Sequence, residues 1–130
     1  MVLRIIENAP STPNAARPRE RRTKAAPSPK GPTEAQFQRQ VIQLAHLLGW
    51  RSYHTHDSRR SAAGFPDLVL CRERGGVPRL IFAELKVRKN RLSDEQQAWL
   101  TALVNTGAEA YEWRPEDFDD IRDLLTGDGP

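Results

Sequence analysis

The chain has 130 residues, 38% of them hydrophobic, which is enough for one core and too little for two ordinary domains. Its only cysteine, Cys71, excludes a disulfide framework or a cysteine-based zinc site and fits a reducing compartment. No stretch reaches the roughly 18 apolar residues that span a bilayer, and the opening MVLRIIENAP lacks the regions of a signal peptide, so a soluble, cytoplasmic protein is expected.

The formal charge of +3 is unevenly spread. Residues 1–32 carry seven basic residues against Glu7 and Glu20, hold six of the ten prolines, and show no periodic apolar pattern. That composition cannot bury enough surface to fold, so 1–32 reads as a basic, disordered arm and 33–130 as the folded domain. Two readings of the arm stand open: a tether that neutralises nucleic-acid phosphates, or a passive solubilising tail. At the other end, from Glu109 onward, eight acidic residues face only Arg114 and Arg122, a charge that would repel DNA from that face and meet a basic partner or the chain's own basic arm.

The first helix opens at Thr33, which with Gln36 fits a capping box. Phe37, Val41, Leu44, Ala45 and Leu48 then recur at helical spacing, and Gly49 stops the helix. RSYHTH begins a strand around Tyr53, and DSRRSAAG is a polar loop. PDLVLCRE and RLIFAELKV form a hairpin around the turn RGGVP. A second helix starts at a Ser cap in SDEQQAWLTALVNTG and ends at Gly107, with Gln96, Trp99, Leu100 and Leu103 on one face. AEAYEWRP supplies a further strand, and PEDFDDIRDLL an acidic helix with Pro115 in its first turn. The order α-β-β-β-α-β-α predicts an α/β domain, a small mixed sheet flanked by helices. Trp50, Trp99 and Trp113 read as core or interface anchors rather than base-stacking platforms, Cys71 as core, and Gly64 with Pro66 as shaping the start of a strand.

The hairpin carries charge inside its apolar run. Glu84 and Lys86, two apart on a strand, emerge on one face, and hairpin pairing brings Asp67 beside them. Two carboxylates held close repel unless a cation lies between them, and a hard divalent ion such as Mg2+ or Mn2+ resolves the conflict. A neighbouring lysine then orients a water or offsets charge developing on a phosphate, which points to metal-assisted phosphodiester hydrolysis. The competing reading is a surface ion pair worth under about 1 kcal/mol, disfavoured by the apolar setting.

Pro66-Asp67 followed by Glu84-x-Lys86 resembles the PD-(D/E)xK nuclease superfamily. EAQFQRQVIQLAHLLGW, YHTHDSRRSAAGFPDLVL, IFAELK, LSDEQQAWL and YEWRP, in that order over about residues 33–125, resemble a stand-alone VRR-NUC domain of the small phage and bacterial type. The resemblance implies a restriction-endonuclease-like core and a metal-dependent DNA endonuclease, structure-selective like Holliday junction resolvases. It further implies a cytoplasmic setting in a bacterial host cell and a homodimer. It assigns Asp67 and Glu84 as metal ligands with the backbone carbonyl of Leu85, Lys86 as the catalytic lysine, Glu34 as a further acid near the metal, and Gln96 beside the lysine. It also suggests a phosphate or site-edge contact for His54, although His54 and His56 are spaced like a zinc pair.

The competing reading of Glu34 is an acid favoured in the first turn by the helix dipole alone, Gln96 also reads as a polar residue of the helix face, and Gln97 competes for its place. Ser58, Arg59, Arg60 and Ser61 form either a clamp on a DNA backbone or a solvated loop. Arg88, Lys89 and Arg91, leaving the catalytic strand, are further phosphate-contact candidates. Rival readings are a less selective nickase or flap nuclease, a DNA-binding module without catalysis, and an interaction subunit whose acidic end matters most.

Overall fold

The computed structural model describes residues 31–55 and 61–130. The predicted arm, apart from its last two residues, and the loop residues His56, Ser58, Arg59 and Arg60 lie outside that range. Helix α1 (Glu34–Leu47) begins at the Thr33 capping box, in which Gln36 N–H donates to Thr33 Oγ1 at 3.1 Å and Thr33 N–H to Gln36 Oε1 at 2.8 Å. Strands β1 (Arg51–His54), β2 (Leu68–Arg74) and β3 (Val77–Leu85) follow, then α2 (Asp94–Asn105), β4 (Glu109–Trp113), one 3-10 turn (Pro115–Asp117) and α3 (Phe118–Thr126). This is the order expected from the sequence.

The sheet runs β1-β2-β3-β4. The first three strands are antiparallel; β4 returns through α2 and lies parallel to β3, the long crossover a parallel pair requires. The hairpin is tighter than the sequence suggested. Arg74 pairs with Val77, so Val77 and Pro78 belong to β3 and the turn is Gly75-Gly76 alone, at φ +59° and +83°. Two left-handed residues suit the twist of the flanking strands, and glycine reaches them without steric cost.

Alternation sorts the side chains. Leu68, Leu70, Ile81, Ala83, Leu85, Tyr111 and Trp113 face α1 and α3 and form the core with Phe37, Val41, Ala45, Trp50, Ile121 and Leu125. On the opposite face α2 packs mainly on β4, and Phe65 meets Trp99 and Phe82 edge to face at 5.0 and 6.1 Å. Cys71, expected in the core, is exposed, because its odd position on β2 turns it to that second face where α2 does not reach. Tyr53 and Leu80 stand there too, 64% and 49% exposed.

Two arginines are buried where an apolar pattern was expected. Arg72 and Arg79 lie over the Trp50 ring at 4.5 and 5.3 Å from its centroid. Their donors close the C-terminus of α3. Arg72 reaches the carbonyls of Leu125 (2.6 Å) and Gly127, and Arg79 those of Leu124 and Gly127 (both 2.9 Å), while Trp50 Nε1 also donates to Leu125 O. Arg79 is further paired through two bonds with Glu109 on β4, at 2.9 and 2.6 Å. Four helix-terminal carbonyls are otherwise orphaned at any helix end, so these cations satisfy groups that burial would leave costly.

Truncating one member of such a buried pair strands the other. Arg79→Leu is expected to lower unfolding free energy by about 3 kcal/mol. Arg74→Leu, which breaks an exposed pair with Asp128, should shift the urea midpoint far less. Equal shifts for the two would refute the buried clamp.

Candidate metal centre

Three elements converge at the C-terminal end of β3. Glu84 is its penultimate residue and Leu85 its last, while Asp67 sits one residue before Leu68, which pairs with Ala83. Glu34 is the first residue of α1. One carboxylate oxygen from each of Glu34, Asp67 and Glu84 lies within 4.8 Å of the others, the one such group of potential ligands among the described residues.

The loop before β2 is held by close packing. Gly64, at φ +86°, lies so near the start of α2 that a Cβ would fall 2.5 Å from the Glu95 carbonyl carbon and 2.7 Å from Gln96 N. Only glycine permits that approach, and the buried Pro66 then delivers Asp67. Asp67 Oδ2 accepts the Leu85 N–H at 3.1 Å, and its own carbonyl accepts Thr55 N–H at 3.3 Å, so the acid is fixed to the strands on both sides.

Glu84 is not on an exposed face, as the sequence suggested; its side chain is 1% exposed and that of Lys86 13%. The helix starts carrying Glu34 and Gln96 close over the strand end. Gln96 Nε2 donates to Glu84 Oε2 at 2.7 Å, and Lys86 Nζ stands 3.8 Å from the same oxygen. Glu84 Oε1 is buried and meets no N–H donor, and the Asp67 carboxyl also shares a hydrogen bond with Glu84. The other end of the Gln96 amide is also used, since its Oε1 accepts Ser93 N–H at 2.8 Å in a capping box. That bond turns the amide nitrogen toward Glu84. Gln97 instead donates to Thr101 along the exposed helix face, so the structure separates the two glutamines that the sequence left open. Ser93, whose Ser-x-x-Gln spacing repeats the Thr33–Gln36 signal, was missed as a support of the site.

Burial and crowding set the charges. Loss of solvent, and then the Asp67 carboxylate, push the Glu84 pKa up to about 9; Lys86 opposes the shift and Glu34 adds to it. Glu34 is likewise raised, first by burial and then by Asp67. A nearly sealed carboxylate with one oxygen lacking any N–H donor, beside two further acids, is a donor set of hard oxygens that suits a divalent cation.

The remaining candidates surround this centre unevenly. His54 ends β1 opposite Leu68, and Ser61 is exposed at the start of the described loop. Arg88, Lys89 and Arg91 are exposed just beyond Lys86, and Arg88 Nη2 reaches back to Gly31 O at 3.2 Å, beside the start of α1. Arg114, at the end of β4, lies against this basic segment and was not singled out from sequence.

Comparison with known proteins agrees with this architecture. Two solved structures of VRR-NUC domain proteins superpose with TM-scores of 0.56 and 0.59, at 22% and 19% identity, over 71% and 78% of this chain and 92% and 95% of theirs. The Holliday junction resolvase Hjc of Archaeoglobus fulgidus is similar over 62% of this chain and 67% of its own, with 26% identity and a TM-score of 0.44. No curated protein matches. The VRR-NUC domain family matches residues 13–115, well over half of the sequence, and the chain belongs to this family of nucleases.

Proposed function

We propose that the chain is a metal-dependent endonuclease that hydrolyses phosphodiester bonds in DNA, selective for branched structures, with residues 33–130 as the nuclease domain. The observation that carries the reading is the Glu34–Asp67–Glu84 cluster, in which carboxylate oxygens from all three acids lie within 4.8 Å of one another around the almost fully buried Glu84. In this reading Asp67, Glu84, the Leu85 carbonyl and Glu34 hold Mg2+ or Mn2+. The ion supplies Lewis acidity, favouring a hydroxide nucleophile and offsetting charge on the phosphate. Lys86, held next to Glu84, steers the attacking water or stabilises the extra negative charge as the new oxygen–phosphorus bond forms and the bond to one sugar oxygen breaks. Gln96 orients Glu84. His54, Ser58, Arg59, Arg60, Ser61, Arg88, Lys89 and Arg91 contact the DNA backbone, a set that positions a duplex and reads no sequence.

A homodimer fits the same reading. Tyr53, Cys71 and Leu80 share the sheet face that α2 leaves bare, and a twofold contact there gives one particle two sites for two strands. Leu80→Glu should convert a dimeric light-scattering mass to a monomeric one; a monomeric wild type removes this part of the proposal.

Metal binding has a thermodynamic signature in the free protein. Glu84 keeps its proton when folded and loses it when unfolded between pH 4.5 and about 9, so the metal-free protein loses stability as pH rises through that window. Glu84→Gln removes the penalty. Without metal it should melt higher than wild type at pH 8, by on the order of 5 °C, with the gap closing near pH 5. Millimolar Mg2+ or Mn2+ should raise the melting temperature of wild type alone. A metal response that Glu84→Gln leaves intact places the ion elsewhere.

Activity is tested on labelled four-way junction, flap, single-stranded and plain duplex DNA with Mg2+, Mn2+ or EDTA. Cutting should require the metal, prefer the junction, and fall at least about a hundredfold in Glu84→Gln and Lys86→Ala. Preference for flaps or for plain duplex would favour the less selective nuclease, and DNA binding without cleavage under any metal would leave a binding module.

A further inference from the structure

The backbone that follows Lys86 is folded in a way its own residues do not favour. Asn90 N–H donates to Val87 O at 3.1 Å, closing a turn, and Arg88 within it sits at φ +58°. It is the one left-handed residue other than glycine among the described residues. A side chain with a Cβ avoids that region unless the surroundings hold it there.

Arg114 supplies the hold. Its Nε and Nη2 donate to Glu112 Oε2 at 3.0 and 2.7 Å, while Nη1 donates to Arg88 O at 3.1 Å and Nη2 to Asn90 O at 2.6 Å. Both carbonyls belong to the turn. Lys86 N–H continues the β3–β4 ladder to Trp113 O at 3.0 Å, so Arg114 takes over where the ladder ends. With its charge met by Glu112 and its donors turned onto backbone, Arg114 has little left to offer a phosphate. Its neighbours Arg88, Lys89 and Arg91 are exposed. The turn is thus tied by Arg114 to the end of β4, the strand that pairs with β3 and its Glu84, and by the bond from Arg88 to Gly31 to the segment just before α1, whose first residue is Glu34.

We propose that Arg114, anchored by Glu112, is a positioning residue that fixes the Val87–Asn90 turn so that Lys89 and Arg91 form a rigid phosphate clamp beside the metal centre. The proposal rests on the nuclease reading and adds to it a residue that acts without touching DNA. A planar, forked guanidinium suits this task, because it serves one carboxylate and two carbonyls at once. Lysine has the charge and lacks the fork.

The test uses the full chain and a fluorescent four-way junction, with binding read by anisotropy in Ca2+ and cleavage in Mg2+. Arg114→Gln and Arg114→Lys should each weaken binding about tenfold and lower the salt slope by about one unit per lost phosphate. KM should rise in step while kcat changes less than about threefold, as expected when uniform binding is lost. In a double-mutant cycle, Lys89→Gln should cost about fivefold alone and under about twofold in the Arg114→Gln background, because the clamp is already loose.

Rescue by Arg114→Lys would show that charge alone matters and overturn the proposal. Additive effects in the cycle, or a fall in kcat at constant KM, would do the same. If Arg114→Gln does not fold, Glu112→Gln, which leaves the guanidinium unanchored, carries the same comparison. A wild type that binds no DNA defeats the nuclease reading and this proposal together. Wild-type binding that Lys89→Gln weakens and Arg114→Gln leaves intact defeats the positioning role alone.

Discussion

A carboxylate sealed at the end of the third strand is the constraint on which the site depends. Glu84 is almost fully enclosed, next to Asp67 and within reach of Glu34, and burial holds its pKa near 9. Such a group opposes folding at neutral pH, so the rest of the molecule must stabilise it. The sheet does so by packing Leu85 on the opposite face into the core, and α2 does so by lending one amide of Gln96 to Glu84 and the other end of that amide to its own first turn. The strain is local, and it is answered by the helix caps that bring Glu34 and Gln96 to the same place.

Both helix starts at the site use the same device. Thr33 and Gln36 close the first turn of α1, which presents Glu34; Ser93 and Gln96 close the first turn of α2. A capping box fixes where a helix begins to within one residue, and the residues in its first turn inherit that accuracy. In α2 one member of the capping box, Gln96, is also the residue that bonds Glu84, which couples the fold of the helix to the geometry of the acid. Gly64 adds the third restraint, because the loop carrying Asp67 can approach α2 only where no Cβ intervenes.

The periodic part of this design was open to reading from sequence. Helical spacing in α1, the two apolar runs of β2 and β3, a turn within RGGVP and the Asp…Glu-x-Lys charges each depend on neighbours along the chain. What was not legible depends on where distant segments close. Cys71 reads as apolar core, yet it is exposed, because α2 packs mainly over β4 and does not cover it. Arg72 and Arg79 were not singled out from sequence, and they are buried because the end of α3 brings carbonyls above Trp50. Gln96 could not be told from Gln97 until the cap fixed the rotation of the helix, and Arg114 became visible only through two carbonyls more than twenty residues earlier.

The same logic changes the meaning of the acidic C-terminal part. From sequence, its eight acids read as a charged surface awaiting a basic partner. In the fold, Glu109 pairs with Arg79, Glu112 with Arg114, Asp128 with Arg74, and Asp119 and Asp123 with Arg122, while Asp117 accepts the Arg114 N–H. Six of the eight therefore meet internal donors, and in the two most buried pairs, Glu109–Arg79 and Glu112–Arg114, the arginine also holds backbone carbonyls. Acids at this end neutralise arginines whose work is structural, while the cations just after Lys86 are exposed near the acidic cluster. Repulsion and attraction for a polyanion are thus separated within the fold, and that separation follows from which charges are paired and which are left to solvent.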